Sequence, residues 1–167
     1  MDHGFAATST EHYLPELHAL LELRWEMTRR TVLNAVEKIV SPVPGSHMMV
    51  GITHRVFLMS VPAALTGLGI KHALVYGAIE GSDEASLDGT SSLVRVRNGE
   101  TEEFRVSPDS VGLSQATRAD ILGKSVEDEA SHSIAALEGE AGPVEDLILS
   151  NAALRLWTAD GDTSLAG

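Results

Sequence analysis

The chain has 167 residues, 24 of them acidic and 12 Lys or Arg, which sets a formal balance of −12 with the seven histidines neutral, and it has no Cys. That length corresponds to one domain able to bury about two-thirds of its unfolded surface, and 43% hydrophobic with 22% charged residues excludes both a disordered tail and a membrane-embedded chain. Without thiols there are no disulfides, thiolate metal sites or cysteine nucleophiles. The acidic surplus disfavours nucleic acid and anionic lipid as main partners, since Arg24, Arg29 and Arg30 form the only short basic stripe. Met1-Asp2-His3-Gly4 lacks a cationic region ahead of an apolar stretch, and the longest greasy run, Val56 to Ile70, is interrupted by Pro62, Gly67 and Gly69. A soluble cytoplasmic protein without membrane contact is expected.

From Tyr13 to Arg30, Leu14, Leu17, Leu20 and Leu21 recur at three- and four-residue steps, which predicts an amphipathic helix. A second helix, Thr31 to Val40, must stop before Pro42, because proline drives its predecessor out of the helical region. Ser41-Pro42-Val43-Pro44-Gly45 reads as a turn. Met48 to Ile52 suits a buried strand, Phe57, Leu58, Val61, Ala64, Leu65 and Leu68 form the stripe of a helix ending near Gly67 and Gly69, and Ala73-Leu74-Val75-Tyr76 is a second short buried strand closed by Gly77. Strand, helix, strand at this spacing is a βαβ crossover, whose strands should be parallel neighbours or near neighbours.

Beyond Gly89 the texture alternates. Leu93 to Arg97 and Thr101 to Val106 flank Asn98-Gly99, the pair preferred in a type I′ turn, so an antiparallel hairpin with one wet face is expected. Ser107 to Gly112 reads as a loop, and Thr117 with Asp120 as a short helix cap. Ser125 with Asp128 should cap a helix carrying Val126, Ala130, Ile134 and Leu137, stopped by Gly139. Pro143 opens a last helix in which Val144, Leu147, Ile148, Asn151 and Ala152 share a face, and the tail from Asp160 to Gly167 should fray. The pattern is one α/β domain over residues 1–167: a largely parallel or mixed central sheet flanked by helices, with the hairpin inserted around Asn98-Gly99.

Chemistry is expected in the loop Gly77 to Glu84, because ligands of open α/β sheets gather beyond the carboxyl ends of parallel strands. Asp83 and Glu84 are adjacent hard oxygen donors of the kind Mg²⁺ accepts while keeping several waters and sharing substrate phosphates. The plainer alternative is that Asp83 caps a turn and Glu84 is solvated. Arg24 lies on the apolar face of the first helix, where a guanidinium needs an acceptor. That acceptor is a helix-end carbonyl, or a carboxylate or phosphate held in a fork; snorkelling at the helix C-terminus is the alternative. The histidines have no paired metal-binding spacing. Asn151 on an apolar helix face suits anchoring of a backbone loop better than reading a ligand.

The ordered set Gly4-Phe5, Tyr13-Leu14-Pro15, Leu23-Arg24, Arg30-Thr31, Asn34, Ser41-Pro42, Val50-Gly51-Ile52, Ala73 to Gly77, Asp83-Glu84, Gly89-Thr90, Pro108, Gly112-Leu113 and Asn151-Ala152-Ala153 resembles the α/β half of the anthranilate phosphoribosyltransferase family. The resemblance implies transfer of a phosphoribosyl group from phosphoribosyl pyrophosphate to an aromatic amine, a step of tryptophan biosynthesis. It also implies that Arg24 faces the aromatic acid and that Asp83 and Glu84 hold Mg²⁺. The family's N-terminal helical domain, its Gly-Thr-Gly-Gly-Asp phosphate loop and its Lys-His-Gly segment have no counterpart here, so the chain alone is expected to be inactive and to associate with itself or with a helical partner domain. The alternative is a non-catalytic interaction module or the partner chain of a split or divergent homologue. Glu37-Lys38 stands where the family usually has Gly-Pro, and Leu14 where it has His, which points toward a divergent homologue whose acceptor need not be anthranilate.

Overall fold

Short apolar runs become interior strands where hydrogen-bonded neighbours take both edges and packed helices cover the faces, and β2 (His72–Gly77) is the clearest case. Its Ala73, Leu74, Val75 and Tyr76 are at most 1% exposed, which explains why the segment is a continuous apolar run rather than an alternating one. The computed structural model describes residues 6–27, 29, 31–77 and 83–160. Where the sequence reads as one domain, the chain gathers into two compact units, Met1–Pro44 and Gly45–Gly167, divided in the Pro- and Gly-containing turn.

In the first unit the single helix expected over Tyr13 to Arg30 is replaced by three short ones: α1 (Thr10–Tyr13), α2 (Pro15–His18) and α3 (Leu21–Glu26). Pro15 accounts for the first break, since it excludes Leu14 from the helical region, and Leu14 sits at φ −136° and ψ 59°. Leu20, at φ −88° and ψ 5°, marks the second. Residues 28 and 30 lie outside the described set. Then α4 (Val32–Ile39) forms as expected, its start secured where the Thr31 backbone N–H donates to Asn34 Oδ1 at 2.9 Å. It ends at Val40, which is extended ahead of Ser41-Pro42.

The second unit is built on a mixed sheet in the order β1-β2-β3-β4, with β1 (Met48–Ile52), β3 (Ser91–Arg97) and β4 (Glu100–Val106) around β2. β1 and β2 are parallel, with Val50 opposite Val75, and α5 (Phe57–Gly67) connects them, so the crossover is as expected. β3 runs antiparallel to both β2 and β4. Asn98 at φ 51° and Gly99 at φ 89° supply the two left-handed positions that a type I′ turn requires.

Leu74 and Tyr76 of β2 and Leu93 of β3 pack with Leu154 and Trp157 of α8 (Pro143–Asp160), while α5 lies on β2 and β3. Trp157 meets Phe104 edge to face with 5.1 Å between ring centroids, and Arg95 lies 4.4 Å over the Trp157 ring. The expected caps form. Asp120 accepts from the Thr117 N–H at 2.8 Å at the start of α6 (Arg118–Ile121), and Ser125 Oγ accepts from the Asp128 N–H at 3.2 Å at the start of α7 (Val126–Leu137). One expectation changes: Pro108–Val111 is a 3₁₀ turn rather than open loop. In α7 the residues Val126, Ile134 and Leu137 face outward, between 56% and 79% exposed; Ala136 is the residue that is buried. Residues 161–167, expected to fray, lie outside the described set.

Candidate functional site

The acidic pair comes after β2 in the chain, separated from it by residues 78–82, which are not described. Asp83 is exposed and Glu84 half-buried. What distinguishes the pair from an ordinary acidic turn is that its backbone is held from both sides. The Tyr76 hydroxyl, at the carboxyl end of β2, donates to the Asp83 carbonyl. On the far side Asn151 of α8 takes both backbone groups of Ala85: its Oδ1 accepts from the Ala85 N–H at 2.9 Å, and its Nδ2 donates to the Ala85 carbonyl at 3.2 Å and to Leu147 O at 3.0 Å. The loop-anchoring role expected of Asn151 is thus what the structure has, applied to the residue immediately after the pair.

Burial sets the electrostatics of this clamp. Tyr76 is 1% exposed, and its phenol is pushed up to about 12 by burial, reinforced by the nearby charge of Asp83. It therefore remains a neutral donor throughout the physiological range. Tyr76 gives no such signal in sequence, where it reads as one more apolar strand residue; only its position at the strand end, nearest the loop, distinguishes it.

Two consecutive carboxylates on a pinned backbone suit Mg²⁺, which binds through one or two carboxylates and fills its other positions with water and phosphate oxygens. They do not make an all-protein cage: among the described residues no group of three His, Asp or Glu is arranged to hold an ion. Beside the pair an open apolar cavity of about 280 Å³ is lined by Ala85, Ser86, Leu93, Pro108, Leu149 and Leu154, among others.

Arg24 and the acidic pair belong to different units. Arg24, in the last turn of α3, is 9% exposed and is the one buried residue among the described positions of Met1–Pro44. The carboxylate that its guanidinium requires comes from Glu37 of α4. Arg24 Nη1 donates to Glu37 Oε1 at 2.6 Å and Nη2 to Oε2 at 2.8 Å, a parallel two-pronged pair. Hydrogen bonding from Arg24 holds the Glu37 carboxyl below the usual carboxylate range, and the same bond raises the arginine. Arg24 Nε is buried with no partner among the described residues. Snorkelling is excluded by this burial. Glu37 stands out in the sequence only as a departure from the family pattern, and nothing local announces its partner 13 positions earlier.

Comparisons with known proteins agree with these elements. The profile of the glycosyl transferase family, a/b domain, matches residues 1–167. The anthranilate phosphoribosyltransferase of Exiguobacterium sibiricum is 33% identical over 154 residues, 92% of this chain and 45% of its own length. That of Symbiobacterium thermophilum is 33% identical over 152 residues, again 45% of its length. The chain therefore spans about half the length of the curated relatives it matches. Among solved structures, the anthranilate phosphoribosyltransferase of Thermus thermophilus superposes with a TM-score of 0.78 at 28% identity, covering 91% of this chain and 45% of that one. The Saccharomyces cerevisiae enzyme in complex with 4-fluoroanthranilate shares the fold at a TM-score of 0.84 and 18% identity, over 99% of this chain and 48% of that one.

Proposed function

The chain belongs to the glycosyl transferase family, a/b domain, and from that premise we propose that it is the α/β portion of a cytoplasmic Mg²⁺-dependent phosphoribosyltransferase that joins phosphoribosyl pyrophosphate to an aromatic amine, as in tryptophan biosynthesis. The observation that carries the reading is the two-sided clamp on Asp83-Glu84, since a solvated acidic turn needs no buried phenol and buried carboxamide to fix it. In the transfer the C1–O bond to diphosphate breaks, the C1–N bond to the amine forms, and the amine gives up a proton. The sugar becomes oxocarbenium-like on the way, so the protein's task is to position both reactants and to neutralise the departing charge. Asp83 and Glu84 hold Mg²⁺, which supplies that neutralisation when bound. Tyr76 and Asn151 act as positioning residues, and Arg24 lies toward the acceptor.

Calorimetric titration of the chain with phosphoribosyl pyrophosphate, with and without Mg²⁺, tests this. Asp83→Asn and Glu84→Gln should each weaken Mg²⁺-dependent binding at least tenfold. Binding indifferent to Mg²⁺ and to both substitutions would remove the catalytic reading. The outward stripe Val126, Ile134 and Leu137 favours a second reading, a chain that works by associating with itself or with a helical partner. Sedimentation should then show association that Ile134→Ser with Leu137→Ser abolishes; a monomer at all concentrations would count against self-association.

A further inference from the structure

Arg24 is the carboxylate-reading group of its unit, and a carboxylate of the same chain already occupies it. A guanidinium has five N–H donors, and its selectivity for a carboxylate comes from two parallel bonds to the two oxygens. In Arg24 both Nη atoms are engaged in this way by Glu37, at 2.6 and 2.8 Å. The pair is well shielded, with the two side chains 7% and 20% exposed.

We propose that Glu37 is a built-in surrogate for an acceptor carboxylate, so that this site takes an aromatic amine whose second substituent is a neutral hydrogen-bond acceptor, such as a carboxamide, rather than a carboxylate. The inference rests on the reading that Arg24 lies toward the acceptor. A ligand carboxylate could enter in two ways, and each is costly. Beside the intact pair it would place a second negative charge against Glu37, a like-charge contact that discriminates strongly in a shielded site. In place of Glu37 it would break two charge-assisted hydrogen bonds and leave a half-buried carboxylate without its counter-ion. Protonation does not relieve this at neutral pH, because hydrogen bonding from Arg24 keeps the Glu37 carboxyl ionised. The guanidinium donor that has no partner among the described residues is Nε. One N–H offers a single bond, which suits a neutral carbonyl and does not form a fork.

The discriminating pair of probes is anthranilate and 2-aminobenzamide, which match in ring and amine and differ in charge. On the full unaltered chain, NMR titration or calorimetry should show 2-aminobenzamide binding at least tenfold tighter than anthranilate. Glu37→Gln, which keeps the size and removes the charge, should improve anthranilate at least tenfold and leave 2-aminobenzamide within about threefold. Anthranilate binding the unaltered chain as well as the amide does, or a preference unchanged in Glu37→Gln, would overturn the proposal while leaving Arg24 as an acceptor residue. Neither probe binding either form, with Mg²⁺-dependent phosphoribosyl pyrophosphate binding intact, would overturn it at its premise that Arg24 faces the acceptor. The two-probe comparison on the unaltered chain requires no variant to fold.

Discussion

The two units are held together by different physics. In Gly45–Gly167 a fully buried strand, its sheet neighbours and α8 enclose Leu74, Tyr76, Leu93, Leu154 and Trp157. Among the described residues of Met1–Pro44 no hydrophobic side chain is buried: Leu23 and Trp25 are 57% and 73% exposed, and the buried group is the Arg24 guanidinium. Area removed from water is non-directional and tolerates small displacements, whereas a two-pronged ion pair depends on geometry and on both partners being charged. The first unit is therefore sensitive to the charge of its buried ion pair, whereas the second rests on burial, with charge entering through the Tyr76 phenol.

The comparison breaks most visibly at Trp157. Trp157→Ala should destabilise the second unit by about 3–5 kcal/mol in denaturant unfolding, through lost transfer energy and the cavity left behind. Asn151→Ala should cost about 2–3 kcal/mol, because it orphans the buried N–H and carbonyl of Ala85, and it should weaken Mg²⁺-dependent ligand binding beyond its effect on stability. A substitution that lowers stability and leaves that binding intact would reduce Asn151 to a purely structural anchor.

The pH dependence sharpens the contrast, because the two units should fail at opposite ends of the scale. Glu37 titrates below its ordinary value, so its contribution is present above about pH 4.3 and is lost as pH falls through the depressed value. Tyr76 titrates above its ordinary value, so its contribution is whole below about pH 10 and is lost as pH rises toward about 12. One tryptophan lies in each unit, Trp25 and Trp157. Fluorescence of Trp157→Phe and of Trp25→Phe therefore reports the units separately, and the first should report acid loss and the second alkaline loss. Coincident transitions at either end would contradict the division. The smallest effect belongs to Glu102, whose pair with Arg95 at 3.0 Å is solvent-exposed. Glu102→Ala should change stability by about 0.2–1 kcal/mol and fade with salt.

Which features were readable in advance follows from how far each interaction reaches along the chain. The buried run Ala73 to Tyr76, the left-handed pair Asn98-Gly99 and the caps at Thr117 and Ser125 are decided within a few residues, and each is found where the pattern places it. The break at Pro15 was present in the sequence but was outweighed by the leucine periodicity around it, although the restriction that proline imposes on Leu14 is stronger than any amphipathic preference. The outward stripe of α7 illustrates the converse: periodicity identifies an apolar face without saying that anything covers it.

The candidate site divides along the same line. Sequence alone determined the residue types and their order: two acids after a buried parallel strand, an arginine among leucines, an asparagine on an apolar helix face. Tertiary structure alone decided their employment. It brought Asn151 across 66 positions to Ala85, turned a strand tyrosine into a latch on Asp83, and gave Arg24 to Glu37. The reason is physical: a helix cap or a turn is chosen by the conformational preferences of adjacent residues, but the partner of a buried polar group is whichever distant group the packed chain brings within about 3 Å of it.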